Sequence, residues 1–281
     1  MKYFRPSSTH ELHDYLVDVK EMSIAILAGG TDLMPRWNDD NGLRPDMLID
    51  IKKIHECFGI REYENEIVIG ALTTIQEIKN SILIQKYFGA LSEAASHFAG
   101  VQIRHRATIG GNICNASPAG DMLPGLYAHR ADMKVIGPNS SHSIPISDFI
   151  VGPGKTVLES NEIISEIHLK KSGDSSCFYK LGLRQSMAIA VVNFAIAYTR
   201  DSNNAFTSLN IAAGSVAPSI VFLNHFTDGI MNGTSLDEAI ELVDKDIFPI
   251  DDIRASADYR RTVLKNVLKY TFRHELHENC E

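Results

Sequence analysis

The sequence predicts an α+β protein built from two or three compact units. Its 281 residues exceed the usual length of a single domain and are enough to bury a large core. Near the amino terminus, an apolar, strand-like run leads directly into paired glycines, which is where an α/β ligand site would lie. In the last third of the chain, strands follow strands and helices then follow helices, which is the pattern of an α+β unit.

Short apolar runs and a helix cap predict the amino-terminal elements. Ser8 or Thr9 can cap a helix that continues to Val17. Residues 23–27 and 46–51 have the short apolar runs of buried strands. Together these elements predict a small βαβ-like unit at residues 1–53, whose first strand leads into the glycine pair.

A second unit is predicted at residues 54–173. Residues 170–176 are rich in Lys, Ser, Gly and Asp and form the best candidate linker. We therefore divide the chain into one domain at residues 1–173 and another at 174–281. Strands of the second unit are expected at residues 67–70, 133–136, 144–150 and 163–169, and helices at 75–78 and 84–98.

The carboxy-terminal domain is predicted from strands that are followed by helices. The strands are expected at residues 177–183, 189–198 and 209–213, and the helices at 236–243 and 255–276. This order predicts a sheet with helices packed against it.

Composition and charge narrow the possible functions. The formal net charge of −8 argues against nucleic acid or an anionic membrane as the main partner. The first residues lack a basic start followed by an apolar stretch, and no apolar run is long enough to span a bilayer. A cytoplasmic protein without membrane segments is therefore expected.

Cysteine spacing predicts no metal site. Cys57, Cys114, Cys177 and Cys280 are widely scattered, and no Cys-x-x-Cys pair indicates a disulfide framework, a zinc site or an iron–sulfur cluster. We expect buried or idle thiols.

Two glycine-centred segments are the main functional signal. Paired glycines let backbone N–H groups approach phosphate oxygens, and neighbouring Thr, Asn and Asp add short polar contacts. Each pair alone could be a tight turn without a ligand. Two such segments in one chain favour a long, phosphate-bearing ligand such as a dinucleotide. They are Ile26-Leu27-Ala28-Gly29-Gly30-Thr31-Asp32-Leu33 and Thr108-Ile109-Gly110-Gly111-Asn112-Ile113, the second of which leads to Ala116-Ser117-Pro118-Ala119-Gly120-Asp121.

Other nucleotide and hydrolase motifs are incomplete. The run from Gly152 to Thr156 resembles a phosphate loop, but Phe149 stands where that motif needs its first glycine. Val157 occupies the third glycine position of a Rossmann fingerprint, and Ser117 lacks a G-x-S-x-G elbow. A loop fixed by Pro153 is the better interpretation.

With these motifs in place, the chain resembles the FAD-binding subunit of molybdenum hydroxylases, and most of all that of bacterial xanthine dehydrogenases. The resemblance runs essentially end to end, with the motifs in the family's order. Besides the segments above, they are Gln102-Ile103-Arg104, Gly152-Pro153-Gly154-Lys155-Thr156, Glu162-Ile163-Ile164, Tyr179-Lys180-Leu181 and Ser256-Ala257-Asp258-Tyr259-Arg260.

The resemblance implies a two-part FAD-binding domain of the vanillyl-alcohol-oxidase (PCMH) type, followed by a carboxy-terminal α+β flavoprotein domain like that of CO dehydrogenase. It implies FAD bound non-covalently, with backbone amides of residues 26–33 around the pyrophosphate and residues 108–112 completing that cradle. Cys114 and Asp121 would contact the ribityl or isoalloxazine part, and Ile164 would pack on a cofactor ring. No catalytic side chain is implied, because the flavin carries the chemistry.

Lys180 falls where the family places a lysine close to the flavin. A fixed cation there would stabilise the negative charge of reduced flavin and tune its potential. From the local pattern alone, a strand lysine that reaches solvent is the alternative. Many relatives carry an acidic residue where Ala188 stands in this chain, which leaves open whether NAD is the electron acceptor.

The resemblance implies one subunit of three. A small subunit would carry two [2Fe–2S] clusters and a large subunit would carry molybdopterin, in a dimer of heterotrimers that hydroxylates a purine such as xanthine. Electrons would pass from the clusters to FAD and on to NAD or another acceptor. A nicotinate, aldehyde or CO dehydrogenase subunit, a stand-alone flavin oxidase and a nucleotide-binding interaction module are the alternatives.

Overall fold

The computed structural model describes residues 1–18, 22–38, 44–137 and 141–276, which form four β-sheets with helices packed against them. The strands are β1 (Lys2–Phe4), β2 (Ile24–Leu27), β3 (Met47–Asp50), β4 (Ile60–Glu62), β5 (Glu66–Gly70), β6 (Asp132–Ile136), β7 (Ser141–Pro145), β8 (Ile150–Gly152), β9 (Lys155–Thr156), β10 (Ile163–Lys170), β11 (Ser175–Gly182), β12 (Ala190–Arg200), β13 (Phe206–Gly214) and β14 (Val221–Phe222). The helices are α1 (Thr9–Asp18), α2 (Leu33–Asn38), α3 (Ile75–Asn80), α4 (Ile82–Tyr87), α5 (Gly89–His97), α6 (Val101–Arg104), α7 (Ile109–Asn115), α8 (Met122–Ala128), α9 (Ile146–Phe149), α10 (Asn224–Met231), α11 (Leu236–Leu242) and α12 (Ala257–Tyr270).

The first sheet is parallel, in the order β1-β3-β2. Leu12 and Leu16 of α1 pack with Met47 and Ile49 of β3 in a fully buried apolar cluster. The predicted strands and the βαβ-like arrangement are confirmed, and β1 is an additional strand that the sequence pattern did not indicate. Because β2 is an edge strand, its carboxyl end delivers the chain to the first glycine pair at the rim of this sheet.

The second sheet is antiparallel, in the order β4-β5-β10-β6-β7. Its core includes buried side chains of α3, α5, α7 and α8. The strands predicted at residues 67–70, 133–136 and 163–169 and the helix predicted at 75–78 are confirmed.

Two predicted elements of this region are wrong. The single helix expected at residues 84–98 is broken at Phe88, whose φ is −140° and whose ring is buried in the core, so that α4 and α5 are separate helices. The strand expected at 144–150 ends at Pro145, and Ile146 and Phe149 both point into the core from α9. The φ of Pro145 is −58°, the value to which a proline ring fixes the backbone.

The third sheet, in the order β11-β12-β13-β14, is antiparallel and covered on both faces. Phe194 and Ile196 of β12 pack with side chains of α10, α11 and α12. Ala195 and Ala197, on the opposite face of β12, belong to the same core as α5 and α8. The cores of the second and third sheets are therefore joined through these helices.

Beyond α12 the chain continues as a π-helical turn at Thr271–Glu275, so the long predicted carboxy-terminal helix is confirmed with a changed last turn. Within the predicted loop at residues 152–156, Pro153 and Gly154 form the turn of the β8–β9 hairpin, and Gly154 has a φ of +67°. Every helix in the described part of the chain is too short or too polar to span a membrane.

Candidate functional site

The first glycine segment is a tight turn between β2 and α2. Gly29 approaches the loop before α7 so closely that a Cβ would lie 2.0 Å from the carbonyl oxygen of Arg106. Gly30 has a φ of +73°, in the left-handed region that favours glycine. The turn therefore needs glycine at one position for close approach and at the next for its backbone conformation.

The N–H groups of this turn are available to a ligand. No described residue accepts a hydrogen bond from the backbone N–H of residues 29–33. Leu27 packs against Gly30, and the Asp32 carboxylate pairs with Arg36 at 2.9 Å. Successive unpaired N–H groups in a turn form a concave surface that binds anions, so this segment is suited to a phosphate group.

The second glycine segment is the start of α7, and its N–H groups are already engaged. Thr108 caps the helix, accepting a 3.1 Å hydrogen bond at Oγ1 from the N–H of Gly111. Ile109 and Gly110 donate to backbone carbonyls of the loop after β5. Because these amides stabilise the helix start, a contribution of residues 108–112 to the cradle would come from side chains, and the expectation that they complete it stays a prediction. The Asn112 side chain is the group left unpaired there.

Helix α7 lies between two cavities and lines both. Gly110, Gly111 and Cys114 line a cavity of about 260 Å³, which we call the small cavity. Asn112 and Asn115 line a cavity of about 570 Å³, which we call the large cavity. A ligand with a ring system at each end could place one ring on either side of this helix.

The small cavity has mainly aliphatic walls. Ile26 and Ala28 line it from β2 and the following turn, and Ile164 lines it from β10. Glu159 and Glu162 add hydrogen-bond acceptors. Flat apolar rings with exocyclic amino groups suit such a site.

The structure separates two residues that the resemblance placed together. Cys114 is exposed and lines the small cavity, whereas Asp121 lines the large one. If the ribityl or isoalloxazine part lies in the large cavity, Asp121 can contact it and Cys114 cannot.

Lys180 and Asp121 form a nearly buried ion pair beside the large cavity. Lys180 Nζ lies 2.6 Å from Asp121 Oδ2, and the two side chains are 6% and 10% exposed. The ammonium group also donates to the carbonyl of His97 at 3.1 Å. Burial raises the pKa of the Asp121 carboxyl group, and the Lys180 charge opposes this shift. Lys180 is thus an inward-facing cation, and the alternative of a solvent-facing strand lysine is wrong.

Two hydrogen-bond acceptors at the large cavity are buried without a partner among the described residues. They are Oδ1 of Asn112 and Oδ1 of Asp121. Buried polar atoms are almost always hydrogen-bonded, so these acceptors indicate a ligand that brings donors. Ribityl hydroxyls and a flavin ring N–H are such donors, and the site in this respect fits FAD.

Arg260 is a part of the large cavity whose role the sequence did not indicate. It is 2% exposed and donates to the carbonyls of Val191 and Ser215 and to the carboxylate of Asp252. Although its motif was recognisable, sequence spacing does not show that α12 folds back onto this cavity. Arg260 joins three separate segments of the cavity wall.

Backbone strain also concentrates at the large cavity. Ala99, Met187 and Ser215 line it with positive φ values of 36°, 52° and 63°. Phe98 lines the same wall. Residues held in sparsely populated backbone regions cluster at functional sites, and no sequence pattern marked these four.

Within the described residues, no group of three or more His, Cys, Asp or Glu side chains could hold a metal ion. Cys57 is a buried thiol whose pKa is raised to about 12 by burial, as expected for an idle cysteine. Cys280 lies outside the described residues.

Two family models match the chain in sequence. The model described as the FAD binding domain in molybdopterin dehydrogenase matches residues 1–170. The model described as the CO dehydrogenase flavoprotein C-terminal domain matches residues 177–274. Together they span nearly the whole chain.

Individual proteins are similar over nearly their full length. The nicotinate dehydrogenase FAD-subunit of Eubacterium barkeri is 30% identical, over 96% of this chain and 94% of that protein. The xanthine dehydrogenase FAD-binding subunit of Escherichia coli O157:H7 is also 30% identical, over 95% and 93%. A solved carbon monoxide dehydrogenase from Hydrogenophaga pseudoflava, which lacks the Mo-pyranopterin moiety, matches with a TM-score of 0.88 at 29% identity, over 96% of this chain and 95% of that one. The predicted fold class, a FAD-binding domain followed by a flavoprotein domain, is confirmed.

Proposed function

The chain belongs to the FAD-binding subunit family of molybdenum hydroxylases, and from this premise we propose that it is the electron-transfer subunit of a heterotrimer. Its proposed partners are a small subunit with [2Fe–2S] clusters and a large molybdopterin subunit, in a trimer that dimerises. FAD, when bound, would take electrons from the clusters and give them to NAD or another acceptor. The residues of this chain bind and orient the cofactor and hold charge beside it.

One observation carries the cofactor assignment: a single helix separates two cavities, and a turn with unpaired N–H groups lies next to it. This supports placing the pyrophosphate on residues 26–33, with Thr108 and Asn112 contributing side chains. The small cavity with Ile164 would take the adenine, and the large cavity with Asp121 and Lys180 would take the flavin. On this proposal, Cys114 contacts the adenine half. We also propose the domain division between residues 173 and 174.

We propose that the FAD is held without a covalent bond. Acid precipitation of the purified protein should leave a colourless pellet and release FAD into the supernatant. Flavin that stays with the denatured chain would favour a stand-alone oxidase with a covalent tether. FMN, or no flavin after reconstitution, would contradict the assignment of FAD.

For the complex, we propose a purine such as xanthine as the substrate. Nicotinate is the second candidate, because a nicotinate dehydrogenase subunit matches this chain as well as a xanthine dehydrogenase subunit does. Co-purification of the tagged chain from its native host, followed by iron and molybdenum analysis and assays with both substrates, tests the proposal. Recovery of the chain alone, without a metal-containing partner, would contradict it.

The acceptor is a separate question that the same preparation can answer. Ala188 lines the large cavity, at the position where the family resemblance leads us to expect an acidic residue. Reoxidation of the reduced complex by NAD, compared with reoxidation by other acceptors, decides whether that residue is needed.

A further inference from the structure

Asn193 is a polar residue at a fully buried position of β12, where an apolar residue is expected. It is 0% exposed, in the stretch of β12 from residues 190 to 198 that is buried throughout and otherwise apolar. Neither Oδ1 nor Nδ2 of its side chain has a hydrogen-bond partner among the described residues. An unpaired buried amide destabilises a fold, so Asn193 is poorly explained by stability alone.

The sheet register places Asn193 in a row with two residues of the site. It pairs with Lys180 on β11 and with Gly214 on β13, and directly opposite residues project on the same face of a sheet. Gly214 leaves the space that the amide fills, because a Cβ there would lie 2.2 Å from Asn193 Oδ1. The amide is therefore held beside Lys180, on the face that packs against α8.

Asp121, directly before α8, completes this group. Its Oδ2 accepts from Lys180, and its Oδ1 has no partner among the described residues. Asn193 lies close enough to Asp121 to lower the pKa of its carboxyl group. The two side chains are nevertheless not joined by a hydrogen bond of standard geometry. An amide donor without an acceptor thus lies near a carboxylate oxygen without a donor.

We propose that Asn193 is a positioning residue that keeps the Asp121 carboxylate turned toward Lys180, so that this pair stays charged beside the flavin. The proposal rests on the FAD-binding function proposed above. Lys180 from β11 and His97 from α5 are the charged or titratable groups that act on Asp121. Asp252, Arg254 and Arg260 line the same cavity from the carboxy-terminal part.

A matched pair of substitutions separates positioning from filling space. Asn193→Thr keeps a donor, and Asn193→Val has nearly the same shape without one. Both variants and the wild type are reconstituted with FAD, and the flavin absorption spectrum is recorded across the pH range in which carboxyl groups and histidines titrate. We expect Asn193→Val to show an acid inflection at least about one pH unit above that of the wild type, a tenfold change in the dissociation constant of the carboxyl group. Asn193→Thr should follow the wild type.

Asp121→Asn identifies the titrating group, because it should remove the inflection. An inflection that persists in Asp121→Asn, or pH profiles that coincide for wild type, Thr and Val proteins, would overturn the proposal. Should Asn193→Val not fold, the pair Asn193→Ser and Asn193→Ala makes the same comparison with smaller side chains. A wild-type protein that binds no FAD would contradict the proposed function instead.

Discussion

The ammonium group of Lys180 lies 2.6 Å from the carboxylate of Asp121, although 59 positions separate them in sequence. The lysine comes from the third sheet and the aspartate from the start of a helix in the second unit, so the pair links these two parts beside the large cavity. In a buried pair, each charge offsets the other, and removing one leaves its partner uncompensated. Substitutions here should therefore act on the electrostatics of the cavity more than on its shape.

Lys180→Met should leave FAD bound but make it harder to reduce. On our proposal, the variant loses a cation that favours the negatively charged reduced flavin. An interaction of ~1 to 3 kcal/mol then corresponds to a decrease of roughly 20 to 65 mV in the two-electron potential. The decrease should be larger at high pH, where Asp121 remains ionised and uncompensated, than at low pH, where it takes up a proton. Spectroelectrochemical titration at two pH values measures this.

The matched control for Lys180 is Lys170→Met, at the exposed end of β10. The flavin reduction potential of the Lys170→Met protein should equal that of the wild type at both pH values. A Lys180→Met protein with full FAD content and an unchanged potential would show that this pair does not tune the flavin.

Gly30→Val should abolish FAD retention while the circular dichroism spectrum stays nearly unchanged. A β-branched residue at a φ of +73° is strained, and its Cβ would lie 3.1 Å from Leu27 and 3.3 Å from Met34, so the turn must move. Gly233→Val is the control, since Gly233 has a φ of +81° with open space around it and follows α10. The two variants carry comparable strain, and only the first should lower the flavin-to-protein ratio. Equal ratios would argue against a phosphate site at this turn.

His129 should make the fold sensitive to acid. Its ring is buried and makes a T-shaped contact with the ring of Phe88. Neither ring nitrogen has a hydrogen-bond partner among the described residues. Burial lowers its pKa to about 4. The unfolded chain binds this proton near the ordinary pKa of 6.5. The free energy of unfolding therefore decreases as the pH falls below 6.5, and it stops decreasing once the folded protein also binds the proton.

For wild-type protein, this histidine should lower the free energy of unfolding by about 2 kcal/mol between about pH 7 and 5. His129→Leu should remove that part of the pH dependence in urea unfolding, whereas His142→Leu, at an exposed position of β7, should keep it. Parallel pH profiles for wild type and His129→Leu would mean that the imidazole is already solvated or paired.

Arg260→Met should destabilise the protein by about 2 to 4 kcal/mol, because it leaves the carbonyls of Val191 and Ser215 without this buried donor, whereas Asp252 keeps its ion pair with Arg254. Arg261→Met is the neighbouring control. Arg261 is 35% exposed and pairs with Asp244, which keeps a second partner in Lys265, so the loss should stay below about 1 kcal/mol. Urea unfolding compares the two. Equal losses would remove the structural role that we assign to Arg260.

Local patterns predicted most elements and failed where tertiary packing decides. Apolar spacing continues through Phe88, but the burial of its ring turns the chain there and ends one helix before the next begins. Helix α8 was not predicted because all seven of its residues are buried, which leaves no polar face and no helical period to detect.

For the site, the sequence predicted the features formed by consecutive residues and missed the features formed by residues that are far apart in the chain. The Gly29–Gly30 turn was visible because strand, glycine pair and polar residues are consecutive. Lys180 was recognised through family resemblance, since its local pattern suits a solvent-facing side chain equally well. Asn193 and Arg260 gain their roles only from strand register and from the return of α12 to the cavity.

The position of α7 has a consequence for how this site can change. One short helix is the common wall of both cavities, so a shift that enlarges one of them reduces the other. Affinity for the two halves of the ligand is then not independent, and substitutions at Asn112 and Cys114, which lie on nearly opposite sides of α7 and line different cavities, should combine non-additively. Substitutions that adapt the site to a shorter cofactor would therefore have to change the residues on both sides of α7 together.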